Sequence, residues 1–344
     1  MKIRERKKGA VPEDFDRIGT EFHRWVRDHT SDKGDDPLTL KQSDDFYDFI
    51  TRDFDFYSRQ YLRLMEASRT RVPGLEHVLY NAKLGFTLQH MVLLAPLRRG
   101  DADDVVRTKL RLAATFIDTL LARRIWNFRS IAYSTMQYAM FRYMLGIRGL
   151  DPIRLARRLH EFLSEETETF DSNDRLYLHQ QNRWQLHLLL ARLTDFVETE
   201  SGMPSRYLEY VDSTSKNRYE VEHVWADKPE EHRQEFPHSA DFLEYRNRIG
   251  GLLLLPKNFN ASFGALPYER KLPHYNAQNL LARSLHPHSY EHNPGFRQFV
   301  ARSGLPFQPH GEFHKGDLDA RQELYRETAK CVWDPDRLLT DVEL

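Results

Sequence analysis

The sequence predicts a mainly α protein: an all-α N-terminal domain, then a smaller mixed α+β module that ends on a helix. Apolar residues recur with a helical period from about residue 13 to about residue 198. Composition shifts after about residue 200, where Pro, His and Asn cluster. The two best strand candidates in the chain, "RYEVEHV" and "GLLLLP", both lie beyond that shift.

The elements follow in order. Helices are expected near 13–29, 44–66, 75–95, 127–145 and 152–165. "VVRTKLRLAATFIDTLLARRI" sets Val106, Leu110, Ala113, Ile117 and Leu120 on one helical face. "WQLHLLLARLTDFV" does the same with Leu186, Leu189, Leu190, Leu193 and Phe196, and the Asp-Ser-Asn-Asp run at 171–174 reads as its cap. Breaks fall at "SDKGDDP", "RVPG", "RRGDADD" and "GIRGLDP", rich in Gly, Pro and Asp. "SGMPSRY" reads as a linker, dividing a helical domain at 1–200 from a module at 201–344. In that module two short strands precede a short helix at "NFNASFGALPYERK". A final helix from Asp317 carries Leu324, Thr328 and Cys331/Val332 at helical spacing. There is no fixed-period repeat and no low-complexity segment.

The bulk numbers narrow the function. The 344 residues suffice for about two domains with a real core. Lys+Arg is 50 and Asp+Glu 51, so no global basic excess advertises nucleic acid, and any such surface must be a local patch. A single Cys excludes a disulfide framework and a Cys-rich zinc site and suits a reducing cytoplasm. The start, "MKIRERKKGAVPEDFD", is basic without an apolar core, so it reads as a solvated tail rather than a secretory signal. The apolar run 91–97 is too short to span a bilayer.

Phosphodiester hydrolysis needs a base for water, a divalent cation on the phosphate, and polar or cationic groups for developing charge. Imidazole is the natural neutral-pH base, and Mg²⁺ takes hard oxygen ligands while keeping several waters. Glu222, His223 and Asn260 meet that need. Adjacent strand residues point to opposite faces, but at a frayed strand end the pair can splay around one phosphate. Glu222 would ligate the metal, His223 would activate water, and Asn260 would bring a second protein oxygen. The plainer readings are a strand-end carboxylate for Glu222 and an N-cap for Asn260, with Asn258 competing as cap. His232, His238, His274, His286, His288, His292, His310 and His314 match no zinc signature and read mostly as loop histidines, with His286 and His288 the one pair to check for metal. Trp126, Phe128, Tyr133, Tyr138, Phe141 and Tyr143 read as core and interface, with stacking on an unpaired base the minority reading. Arg123, Arg124, Arg129, Arg142 and Arg148 would form either a DNA-facing strip or the polar faces of helices.

"YEVEHVWADKP" and "NRIGGLLLLPKNFNASFGALPYERKLPHY" resemble the C-terminal HNH nuclease domain of GmrSD-type, modification-dependent restriction enzymes, a domain shared with SspE-type phosphorothioate-sensing defence nucleases. The matching stretches are Glu222-His223, Ile249-Gly250-Gly251-Leu252, Phe259-Asn260-Ala261-Ser262 and Tyr268-Glu269-Arg270-Lys271, with Trp333 as the family's closing Trp. The resemblance implies a ββα-metal fold and a metal-dependent HNH endonuclease of a bacterial antiviral defence system. Such an enzyme would nick double-stranded DNA, modified DNA included. Mg²⁺ or Mn²⁺ would lie between Glu222, Asn260 and a phosphate oxygen, with His223, Asn260 and Lys271 catalytic and Lys257, Arg270 and Lys271 on the DNA. Two positions depart from the family. Gly251 stands where a His-orienting Asn is usual, with Asn247 and Asn258 the nearest substitutes, and the Pro expected soon after the His is displaced to Pro229. No Walker-type loop is present, so the expected chain is a nuclease half, either truncated or working with a separate NTPase-like or modification-sensing subunit and no membrane. The alternative is a catalytically decayed DNA-binding or regulatory subunit.

Overall fold

The structure, a computed structural model, describes residues 40 and 42–343. The helix expected near 13–29 and the basic start of the chain lie outside the described residues. No helix among the described residues is long and apolar enough to cross a membrane. The chain is mainly helical, with one two-stranded sheet among the described residues. It divides into two compact units: one takes residues up to 121, 130–167 and those from 335, the other takes 122–129 and 168–334. The composition shift near residue 200 falls inside the second unit, at the C-terminal end of a helix.

In the first unit, α1 (Ser43–Asp48) continues through a π-helical stretch, Phe49–Phe54, into α2 (Asp55–Ala67). The helix expected over 75–95 is instead two, α3 (Glu76–Lys83) and α4 (Gln89–Leu94), because Gly85 takes φ 74 and ends the first. α5 (Asp103–Trp126) buries Val106, Leu110, Ala113, Ile117 and Leu120 as its period predicts. Leu112, Phe116 and Thr119 are buried too, so it is covered on more than one side. α6 (Tyr133–Ile147) starts six residues later than expected, since the chain turns left-handed at Phe128, φ 55. α7 (Pro152–Glu165) has Pro at its first position, and Asp151 Oδ1 accepts from the Arg154 amide at 3.0 Å. The C-terminal helix Arg337–Glu343 packs on α7.

The second unit holds α8 (Arg183–Glu200), α9 (Tyr207–Val211), β1 (Tyr219–His223), α10 (Ser239–Arg246), β2 (Leu252–Pro256), α11 (Lys257–Phe263) and α12 (Tyr268–Tyr275). After these come α13 (Leu280–Arg283), α14 (His288–His292), α15 (Pro294–Ser303) and α16 (Lys315–Val332). The 171–174 run does not cap α8. It forms a 3₁₀ turn stapled to Trp126, whose Nε1 donates to Asn173 O at 2.8 Å while Asn173 Nδ2 donates to Trp126 O at 2.6 Å. Trp333 closes α16, and one further helix follows it.

β1 and β2 pair antiparallel, from Tyr219 opposite Pro256 to His223 opposite Leu252. Leu252 to Leu255 are all buried, so β2 is covered on both faces; each buried leucine contributes roughly 2 kcal/mol of transfer free energy. Cross-strand partners share a face, so Glu222 lies on the side of Leu253 and Leu255, within the core that Phe259, Tyr268 and Tyr275 complete. α11 packs on both strands. The turn into β2, Ile249–Gly251, is pinned to α16: the Gly250 amide donates to Gln322 Oε1 at 2.9 Å.

Candidate functional site

The end of β1 brings Glu222, His223, Lys271 and Asn247 into contact. Glu222 and His223 are adjacent and face opposite ways. Glu222 is 8% exposed, and its Oε1 accepts from Lys271 Nζ at 2.8 Å. The same ammonium donates to the His223 carbonyl at 2.9 Å. Lys271 is 0% exposed, so it stands beneath the strand end and is not a surface contact for DNA. Burial lowers its pKa, while the Glu222 carboxylate raises it. The helical pattern of α12 carries the signal for this: Tyr268, Lys271 and Tyr275 share one face, and both tyrosines are core residues.

His223 Nε2 lies 2.9 Å from Asn247 Oδ1. With the amide oxygen toward the ring, Nε2 carries the proton and Nδ1 is the acceptor. Burial pulls the imidazole down to about 4, and the charges of Arg246, Lys271 and Arg183 push the same way against the Asn247 hydrogen bond. The ring is therefore neutral at neutral pH. Asn247 reaches it from the end of α10, although it stands out of register with the family pattern. Gly251 lies in the tight turn, where a Cβ would come within 3.1 Å of Leu318 Cδ1. That crowding accounts for a small residue there, and the orienting amide arrives from four residues earlier.

Asn260 sits in the middle of α11, not at its start, so it is no N-cap. Its Oδ1 is buried and has no hydrogen-bond partner among the described residues. One turn on, a Cβ at Gly264 would sit 2.6 Å from Asn260 O and 3.6 Å from Glu222 Oε1, which brings the Glu222 carboxylate close to the Asn260 turn of the helix. Asn258 is exposed on α11, and its backbone amide donates to Asn217 Oδ1 at 2.9 Å, so it does not take the His-orienting role. Lys257 and Arg270 are exposed, on α11 and α12.

Two cations escaped the sequence reading. Arg246 is half-buried and donates from Nε to Trp225 O at 3.1 Å, and its charge is felt by His223 and Glu222. Arg183, exposed at the start of α8, is felt by His223 as well. The triplet "RNR" at 246–248, just before β2, was the available signal for the first. The arginine strip weighed at 123–148 is not a uniform surface, since Arg123 is buried.

A separate group of His288, Glu291 and His292 on α14 places its ligand atoms within 4.8 Å of one another. His286 does not join it as a partner of His288: its Nδ1 accepts from the His288 amide at 3.1 Å.

The family comparison covers most of this unit. Residues 164–326 match the family model described as GmrSD restriction endonucleases, C-terminal domain. Neither the curated proteins nor the solved structures contain a match to the chain. The matched span takes in the strand pair, the helix bearing Asn260 and the buried Lys271. Over residues 164–326, the chain is similar to the C-terminal domain of the GmrSD restriction endonucleases.

Proposed function

We propose that the second unit is a ββα-metal nuclease module of HNH type that hydrolyses one phosphodiester of double-stranded DNA, modified DNA included, within a restriction system. The observation that carries this reading is the unpartnered, buried Asn260 Oδ1 on the helix packed against the strand that ends in Glu222-His223. An orphaned hard oxygen on the helix turn that approaches the Glu222 carboxylate fits Mg²⁺ or Mn²⁺. Glu222 and Asn260 would hold the ion; Glu222 has a second oxygen beyond the one Lys271 engages. When bound, the ion supplies Lewis-acid charge on the phosphate oxygens.

The rest falls to the chain's own residues. Asn247 fixes the ring of His223, whose neutral Nδ1 accepts the proton of the attacking water. Lys271 holds the Glu222 carboxylate in one rotamer and braces the strand end through the His223 carbonyl. Arg246 and Arg183 stand near His223 and would meet phosphate charge, as would Lys257 and Arg270 at the surface. One such centre per chain makes a nick the elementary act. A second subunit that senses modification belongs to the same proposal.

The test is conversion of supercoiled plasmid to open circle in Mg²⁺ or Mn²⁺. Wild type nicks and His223→Ala does not, with equal DNA affinity. Salt-sensitive DNA binding without cleavage in either protein would favour a decayed binding subunit instead.

A further inference from the structure

α5 ends in a Schellman turn. The Phe128 amide donates to Ile125 O at 3.1 Å and the Arg129 amide to Arg124 O at 2.8 Å. The left-handed position of that motif normally falls to glycine, because any Cβ there is strained. Here it is Phe128, φ 55, a residue 42% exposed. A bulky aromatic held in a strained backbone and turned toward solvent marks a position for function rather than for stability.

The ring is not alone. Phe128 lies 5.0 Å from the ring of Tyr177 and 5.8 Å from that of His179, and Tyr177 and His179 are 5.7 Å apart. Tyr177 is 38% exposed, and its hydroxyl makes no hydrogen bond among the described residues. The three rings form a surface platform within the second unit. This platform is tied to the candidate centre through one residue. The Leu178 amide donates to Asn247 O at 2.8 Å, Tyr177 pairs with Arg248 as an isolated bridge, and Asn247 turns its side chain to His223. Arg183, four residues beyond His179, adds an exposed cation with no ion pair among the described residues. It also lines a groove of about 430 Å³ that runs beside β1 from Gln180 to Val221.

We propose that Phe128, Tyr177 and His179 form a stacking subsite for an unpaired base of the DNA strand being cut, with Arg183 on its phosphate. The proposal rests on the DNA-cleavage reading above. Aromatic rings offer a face that any base can cover, and an arginine at the rim complements the backbone charge. A protein partner would favour a broad apolar patch; three rings with an exposed arginine four residues on from His179, joined to the candidate base through Asn247, fit a nucleotide better.

The experiment uses the full chain and measures fluorescence-anisotropy binding of a short single-stranded oligonucleotide and of the same strand with abasic sites. Wild type is expected to prefer the base-bearing strand by about tenfold, and Phe128→Leu and Tyr177→Leu to lose that preference while binding the abasic strand normally. Phe128→Trp keeps it. Phe128→Gly, which relieves the left-handed strain, loses the preference with an undiminished melting temperature, so misfolding cannot be the cause. Equal wild-type affinity for the two strands overturns the proposal, as does full preference in Phe128→Leu. A change in sedimentation with no change in oligonucleotide binding would give the platform to a second copy of the chain and overturns it too. Plasmid nicking in parallel separates the two readings: nicking without base preference removes the subsite alone, and base preference without nicking removes the nuclease alone.

Discussion

The ammonium of Lys271 lies 2.8 Å from Glu222 Oε1 and 2.9 Å from the carbonyl of His223, with Lys271 wholly buried. One side chain thus fixes both neighbours of the candidate centre from behind. Lys271→Met would leave a buried carboxylate without its cation, which costs about 3 kcal/mol. Urea unfolding should therefore shift sharply, and adding Glu222→Gln should restore much of the loss. The salt dependence of DNA binding should stay unchanged, because a buried lysine displaces no counterion. A shallower salt slope in Lys271→Met would return Lys271 to the DNA surface.

Asn247 holds the imidazole by a single bond of 2.9 Å. Asn247→Leu should lower kcat about 100-fold by freeing the ring, with DNA affinity preserved. Asn247→Asp keeps an acceptor on Nε2 and should retain more activity than Asn247→Leu. Single-turnover cleavage of a labelled duplex reads both.

His223 is held down to about 4, so the acid limb of kcat/KM for the free protein should lie near there, with a flat profile through neutrality. Arg246 is among the charges that depress it, so Arg246→Gln should move that limb upward. The sign for stability is set by the same shift. The folded pKa lies below the unfolded value of about 6.5, so this group's contribution is complete above that value and is lost as pH falls toward about 4. His223→Asn should flatten that part of the stability profile, measured by urea unfolding across the window.

Gly250 and Gly251 pack the turn into β2 against α16. A Cβ at Gly250 would sit 2.5 Å from both Gln322 N and Leu318 O, which are helix backbone and cannot step aside. Gly250→Ala should destabilise by about 2 kcal/mol or more. Gly251→Asn, which restores the residue usual in the family, should lose stability against Leu318 without raising cleavage, since Asn247 already meets the ring. Thermal melts and nicking rates check the pair.

The strands, the period of α5 and the Glu222-His223 pair were legible in the sequence because each rests on local pattern: alternation, 3.6-residue spacing, adjacency. Asn247 and Lys271 were named from the sequence, but their partners depend on contacts distant in it: Asn247 meets His223 across 24 residues and Lys271 meets Glu222 across 49. The Asp-Ser-Asn-Asp run has the chemistry of a helix cap, but Trp126 claims its backbone first. Of the aromatics in the helical stretch, Trp126 and Phe141 are core, while Phe128, Tyr133 and Tyr138 are about half exposed. Spacing alone could not separate these, because the left-handed turn at Phe128 resets the helical phase.

The most direct measurement is a Mn²⁺ anomalous-difference map from crystals of His223→Ala bound to duplex DNA. The account predicts a peak within ligand distance of the Glu222 carboxylate and Asn260 Oδ1, against one phosphate and beside the position of the lost ring. A map with its peak at His288, Glu291 and His292 alone, or with Glu222 and Asn260 bare, would contradict it.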